Sequence, residues 1–362
     1  MIASLFAAAL AIAANCDLEK PSGETGCTRA RVDALKINQI QAIGTHNSYK
    51  QAMSPAEMKL LRGANPKEAA GLDYAHPPLT EQLAAGARQL ELDILYDPQG
   101  GRYADPAVRK LANDLPYDLA PLKGPGFKVM HVQDLDYRSN CPLFTGCLAE
   151  IRAWSKAHPD HVPLLILLNL KEGKLDLPGA VLAQPFDAAA MDAVDAEIRS
   201  VFQPGDLIVP DQVQGRRPTL REAAFAKAWP RLKAARGKVM FALDAPIEQV
   251  AIYRGARKSL EGRVMFVNID ETSPAAAYIT LNEPKEQADR IAAAVRAGLI
   301  VRTRADADTA EARINDRSRQ DAAFATGAQY VSTDYMKPDP RFGPYEAHLP
   351  GGGAARLNPV SR

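Results

Sequence analysis

Eight short apolar runs alternate with amphipathic stretches along this chain, and that alternation limits its fold more than any other feature. The runs are 39–45, 89–95, 128–132, 164–170, 239–243, 264–269, 299–302 and 330–333. Between them, 79–87, 148–158, 187–202, 220–235, 286–297 and 308–326 carry apolar residues at helical spacing with charges between. Several runs are apolar over their whole length, as strands are when both faces are covered. Gly86, Gly237, Gly298 and Gly327 stand just before runs, where helices end. The pattern predicts an α/β chain folded as a (β/α)8 TIM barrel. No G-x-G-x-x-G follows the first run, so a dinucleotide-binding open sheet is not supported.

The expected organisation is a barrel over 36–345 and a loop-rich tail over 346–362. Two long connections, 53–78 and 96–127, read as irregular loops, and loops of that length in a compact domain are usually functional. With 44 basic and 43 acidic residues the net charge is +1, no basic stripe stands out, and only 6% of residues are aromatic. Nucleic acid is therefore not an expected partner.

Residues 1–15 are mostly apolar or small and read as a signal peptide, although a basic start is missing. The run is shorter than the ~20 residues that span a bilayer, and no other run is long enough. The expected location is secreted or periplasmic. Cys16 follows at once, but Asn15 before it disfavours a lipoprotein anchor. The four cysteines lie in two near pairs, Cys16 with Cys27 and Cys141 with Cys147. In an exported chain two local disulfides are expected, against four free thiols, and the spacing fits no structural zinc site.

Chemistry-bearing residues sit where a barrel collects them, at the C-terminal ends of strands. The first run passes through Gly44 and Thr45 into His46, Asn47, Ser48 and Tyr49. Glu91 and Asp93 lie two apart in the second run, so both face the same way, and with Leu90, Leu92 and Ile94 turned to the helices that way is into the barrel mouth. His131 ends the third run, and Asn169 and Lys171 end the fourth, again two apart. Asp244, Asp270, Arg302, Arg304 and Asp334 end later ones. Two inward carboxylates side by side need a cation or a shared proton. Oxygen donors from Asn47, Glu91 and Asp93 suit Ca²⁺ or Mg²⁺. Histidines on either side supply a base and an acid, and Lys171 would stabilise charge on a phosphoryl group. His158 and His161, which flank Pro159 at a helix end, read as surface residues, His348 as structural and His76 as ambiguous.

At these residues the chain resembles the phosphatidylinositol-specific phospholipase C superfamily, and more closely its calcium-dependent bacterial members. The matching segments are Gly44-Thr45-His46-Asn47-Ser48-Tyr49, His76-Pro77-Pro78-Leu79, Leu90-Glu91-Leu92-Asp93 and Met130-His131-Val132, with the Cys141–Cys147 loop and Val331-Ser332-Thr333-Asp334-Tyr335. The resemblance covers roughly 36–345. It implies a distorted barrel, His46 and His131 as the catalytic pair, and Asn47, Glu91, Asp93 and the fourth-strand position as ligands of Ca²⁺. That last position, where a carboxylate is expected, is Asn169, which removes a negative charge from the metal shell. The implied reaction cleaves phosphatidylinositol to diacylglycerol and an inositol phosphate at a membrane surface, which the protein touches peripherally. A glycerophosphodiester phosphodiesterase is the alternative enzyme, but its first strand continues His-Arg-Gly where this one has His46-Asn47-Ser48. A non-catalytic barrel that binds a headgroup is the other alternative.

Overall fold

The computed structural model describes residues 12–13, 15–112 and 116–360. Apart from Ile12, Ala13 and Asn15, the expected signal peptide lies outside the described residues. Among the described residues the strands are β1 (Ile40–Thr45), β2 (Gln89–Leu95), β3 (Lys128–Val129), β4 (Leu164–Leu170), β5 (Leu207–Ile208) and β6 (Val239–Leu243). They continue as β7 (Met265–Val267), β8 (Tyr278–Thr280), β9 (Ile300–Arg304), β10 (Tyr330–Thr333) and β11 (Ala355–Leu357). Eight of them, β1, β2, β4, β6, β7, β8, β9 and β10, pair in parallel around a circuit. This is the expected barrel, and it is distorted.

The distortion lies in two thin seams. Strands β2 and β4 share six register pairs, from Gln89–Leu165 to Ile94–Leu170. Strands β7 and β8 are joined by the single bridge Asn268–Tyr278. Strands β1 and β2 are joined by one register pair, Gly44–Gln89. The lower half of β1 pairs instead with β11, antiparallel, so the tail fills the seam that β2 leaves. Gly44 is needed here, because a Cβ on it would lie 2.5 Å from the Gln89 carbonyl oxygen and Cβ.

Two expectations about elements are corrected. The third run supplies only β3, antiparallel to β2 and outside the circuit. The buried Lys128 ammonium explains it: the group donates to the Gly124 and Gly126 carbonyls at 2.5 and 2.8 Å and lies 3.3 Å from Asp97 Oδ2. That fastening holds the run as a short ribbon across the end of β2. The eighth barrel strand is β8, which is too short for an apolar run to announce it. The helical stretch 220–235 breaks into Leu220–Phe225 and Leu232–Ala235 around Trp229 and Pro230, since proline ends a helix. The connection 53–78 is not irregular. It holds helices Pro55–Ala64 and Pro66–Gly71, the first opened by a reciprocal cap between Ser54 and Glu57.

Both expected disulfides form, Cys16–Cys27 and Cys141–Cys147. The Cys16 sulfur is thereby committed to Cys27. No helix of the described residues is long and apolar enough to cross a membrane.

The thin β1–β2 seam makes Gly44 a strong test of this packing. Gly44→Ala forces the two strands apart and should cost about 1–3 kcal/mol or more, the scale of overpacking. Urea denaturation checks it, and an unchanged midpoint would show that the seam is not tight.

Candidate active site

His46 follows the last residue of β1, and the chain turns sharply after it. Asn47 takes the left-handed conformation, φ +47°, which asparagine tolerates better than most residues. Ser48 then ties the turn to β2. Its amide donates to the Glu91 carbonyl at 3.0 Å, and its Oγ accepts from the Glu91 amide at 2.8 Å. Gln82 braces the same turn, donating to the Ser48 carbonyl and accepting from Thr45 Oγ1, both at 2.6 Å. The motif is thus a clamp that holds the weak seam and fixes the histidine beside it.

The His46 ring is set by groups that arrive from other elements. Nδ1 donates to Asp334 Oδ1 at 2.8 Å, just past the end of β10. The Tyr74 ring stacks on it, with centroids 6.2 Å apart, and takes the Asn47 amide on its hydroxyl at 2.9 Å. With Nδ1 as donor, Nε2 is the acceptor, 3.7 Å from Glu91 Oε1. Burial, and then the Arg304 and Arg302 guanidinium groups, hold the His46 pKa well below 6.5, despite the acidic neighbours. The ring is therefore neutral at pH 7 with a free basic nitrogen.

His131 repeats the design on a different scaffold. Its Nδ1 donates to Asp136 Oδ2 at 3.0 Å. The other Asp136 oxygen meets Lys50 Nζ at 3.1 Å, and both of those side chains are fully buried. Burial alone would raise the Asp136 carboxyl, but Lys50 and His131 outweigh it and hold it below its ordinary range. His46, His131, Asn47, Tyr74, Arg304 and Arg313 line one cavity of about 600 Å³.

Glu91 and Asp93 do share the inward face, and each meets a basic side chain there. Arg302, from β9 across the barrel, donates to Glu91 Oε2 at 2.6 Å. Asn169 donates its amide to Glu91 Oε1 at 2.7 Å. Lys171 Nζ lies 2.7 Å from Asp93 Oδ2. That contact is a charge pair without the direction of a good hydrogen bond, and neither Asp93 oxygen has an aligned donor. Burial raises the Glu91 carboxyl to about 7 against the pull of Arg302. Asp93 holds the Lys171 ammonium above its ordinary value against burial.

The structure thus gathers His46, Asn47, Glu91, Asp93, Asn169 and Lys171 at one barrel mouth, with His131 on the shared cavity. Of the later strand ends, Arg302, Arg304 and Asp334 join them. Asp244 accepts from Asn268, at the end of the next strand, at 2.7 Å and feels the charge of Arg302, whereas Asp270 accepts from Thr272 at 2.8 Å within its own loop. His76 is a brace, with its Nε2 on the His46 carbonyl at 2.8 Å. His158 is exposed at the helix end, as expected, and stacks on Trp154, but His161 is buried rather than at the surface, held between Trp154 and the Ser155 hydroxyl. Lys50, Tyr74 and Asp136 escaped sequence reasoning. Asp136 sits five residues past His131 in a loop, and only a search for an acidic partner near each histidine could have found it.

The Lys50–Asp136 pair carries a prediction. Lys50→Met leaves a buried carboxylate short of a partner, which costs about 3–5 kcal/mol. Chemical denaturation at neutral pH measures it, and a loss under about 1 kcal/mol, typical of a surface pair, contradicts the assignment.

Comparison with known proteins agrees with this geometry. Residues 35–359 match the family described as phosphoinositide phospholipase C, Ca²⁺-dependent. No curated protein sequence matches the chain. Among solved structures it is similar to a calcium-dependent phosphoinositol-specific phospholipase C from a Gram-negative bacterium, Pseudomonas sp. The two share 17% identity with a TM-score of 0.56, over 90% of this chain and 96% of that one. It is also similar to a Ca²⁺-dependent phosphatidylinositol-specific phospholipase C from Streptomyces antibioticus. There the identity is 19% and the TM-score 0.53, over 83% of this chain and 95% of the other. At such identities the structures speak for the fold, and the family match over most of the sequence settles membership: the chain belongs to the calcium-dependent phosphoinositide phospholipase C family and is a phospholipase C-like phosphodiesterase.

Proposed function

We propose that this protein is an exported enzyme that cleaves the glycerol-side phosphodiester of phosphatidylinositol, using His46 as base and His131 as acid. One observation carries the reading. Two histidines face one cavity, and each has Nδ1 fixed on a carboxylate, which leaves Nε2 for the reaction.

The inositol 2-hydroxyl gives its proton to His46 Nε2, and its oxygen bonds to phosphorus. The phosphorus–oxygen bond to glycerol breaks in line, and His131 hands that oxygen a proton. The products are a cyclic inositol phosphate and diacylglycerol. Because the nucleophile belongs to the substrate, holding it in line with phosphorus supplies much of the rate. Negative charge that builds on the phosphoryl oxygens falls near Lys171, Arg302 and Arg304, in a site where charge is weakly screened. Asp334 and Asp136 keep both rings in the working tautomer, and Asp136 balances the positive charge that His131 carries as an acid.

The family is described as Ca²⁺-dependent, and the residues expected to hold the ion are Asn47, Glu91, Asp93 and Asn169. They do not fit Ca²⁺ or Mg²⁺ as they stand. Asn169 turns a donor to Glu91, Asn47 Oδ1 faces the Tyr49 hydroxyl at 3.3 Å, and Arg302 and Lys171 already neutralise both carboxylates. No step is assigned to a metal ion.

Lipid contact fits the loops at the same end of the barrel. Leu60, Leu111 and Leu182 are exposed on the connections that follow β1, β2 and β4. The two disulfides fit an oxidising compartment.

The test is incubation with phosphatidylinositol vesicles and, separately, with glycerophosphoinositol, and identification of products by phosphorus NMR. The expected result is a cyclic inositol phosphate with diacylglycerol. Release of glycerol phosphate, or no cleavage of the lipid, contradicts the reading. His46→Ala and His131→Ala should each lose at least ~100-fold in rate, the scale of acid–base catalysis, and remain folded because both rings border the cavity. Asp334→Asn and Asp136→Asn should lower kcat with little change in KM, since they act through the rings. A change confined to KM would remove them from that role.

A further inference from the structure

We infer that Lys171 and Arg302 occupy the electrostatic place of the metal ion, so that this member of the family works without Ca²⁺. The basic side chains already seated on the acidic pair carry the inference. Glu91 and Asp93 are both buried, at 2% and 0% exposure. Arg302 lies 2.6 Å from Glu91 and Lys171 lies 2.7 Å from Asp93. A hard divalent cation is held by clustered anionic oxygens, and here it would have to displace these two cations to reach them.

Three nitrogen donors stand where the ion would find oxygens. The Asn169 amide covers Glu91 Oε1, the Arg302 guanidinium covers Glu91 Oε2, and the Lys171 ammonium stands against Asp93. Arg302 cannot step aside freely, because its Nη1 is anchored on Asn282 Oδ1 at 2.6 Å. Among the described residues no three histidine, cysteine, aspartate or glutamate side chains are grouped to hold a metal. Lys171 is the movable member, with 29% of its side chain exposed. An ammonium or guanidinium beside a phosphoryl group supplies the charge stabilisation that a bound cation would, and needs no dehydration of an ion. In the proposed reaction Lys171 gains and loses no proton. It faces the developing charge, and Arg302 keeps Glu91 from opposing it.

Asp93 has two oxygens without an aligned donor, so a cation that displaced Lys171 would find ligands there. This makes direct binding the decisive measurement. Calorimetric titration of Ca²⁺ into the chelator-treated protein should show no binding up to about 1 mM, the weak end of calcium sites. Lys171→Glu replaces the fixed cation with a carboxylate and should create a site that binds Ca²⁺ below that concentration. Turnover of phosphatidylinositol by the parent should be equal in EGTA and in Ca²⁺. Parental binding of one Ca²⁺ that Asp93→Asn abolishes overturns the inference, as does turnover lost in EGTA and restored by Ca²⁺. A Lys171→Glu protein that is folded and still binds no Ca²⁺ overturns it too, because Lys171 would not be what excludes the ion. The inference rests on the phospholipase reading only for the charge these cations meet. If neither condition yields lipid cleavage, that reading fails alone and the titration still decides this one.

Discussion

Glu91 and Asp93, two residues apart on one strand of a closed barrel, share a face, here the inner one, and their charge has to be met there. An uncompensated carboxylate in such an interior costs several kcal/mol. The fold meets Glu91 with Arg302 from the opposite side and Asp93 with Lys171 from the adjacent strand. The rest of the site follows from that arrangement. Arg302 ties β2 to β9 across the mouth, and with Arg304 and burial it keeps His46 neutral. The groups that balance the acidic pair therefore also favour the neutral His46 and the positive field on which the proposed chemistry rests.

The two histidines show one solution built twice from unrelated parts. His46 is oriented by Asp334, which a neighbouring barrel strand delivers. His131 is oriented by Asp136, delivered by a loop and anchored by Lys50 from the turn after β1. Lys50 is three residues beyond Asn47, so the segment that positions one histidine also stabilises the partner of the other. The Gly44 contact and the Ser48 clamp hold the seam on which this coupling depends.

Much of this was legible in the sequence. Strands β2, β4, β6 and β10 have the limits that their apolar runs mark, because each is buried on both faces and carries no competing signal. The inward direction of Glu91 and Asp93 is legible from their spacing together with the apolar Leu90, Leu92 and Ile94, which take the helix-facing side. Legibility failed where a strand is too short to have a pattern, as with β8. It failed again where a buried charge redirects an apolar run, as Lys128 does to β3. The helix cap of Ser54 and Glu57 was readable but lay inside a segment taken as irregular. Partners of the site residues were the hardest to see. Asp136 and Lys50 are 86 residues apart in sequence and meet only through the fold. The oxygens of Glu91 and Asp93 suggested a metal because their cations arrive from β9 and from a neighbouring strand, which spacing does not reveal.

Both histidines proposed for catalysis are held with Nδ1 as donor, and His46 keeps Nε2 free of a proton at neutral pH. Long-range proton–nitrogen NMR of the 15N-labelled protein reads the protonation of each ring nitrogen directly. At pH 7 the account predicts a protonated Nδ1 on both rings and an unprotonated Nε2 on His46. An imidazolium at His46, or a proton on its Nε2 with Nδ1 bare, would contradict it, because no base would then face the cavity.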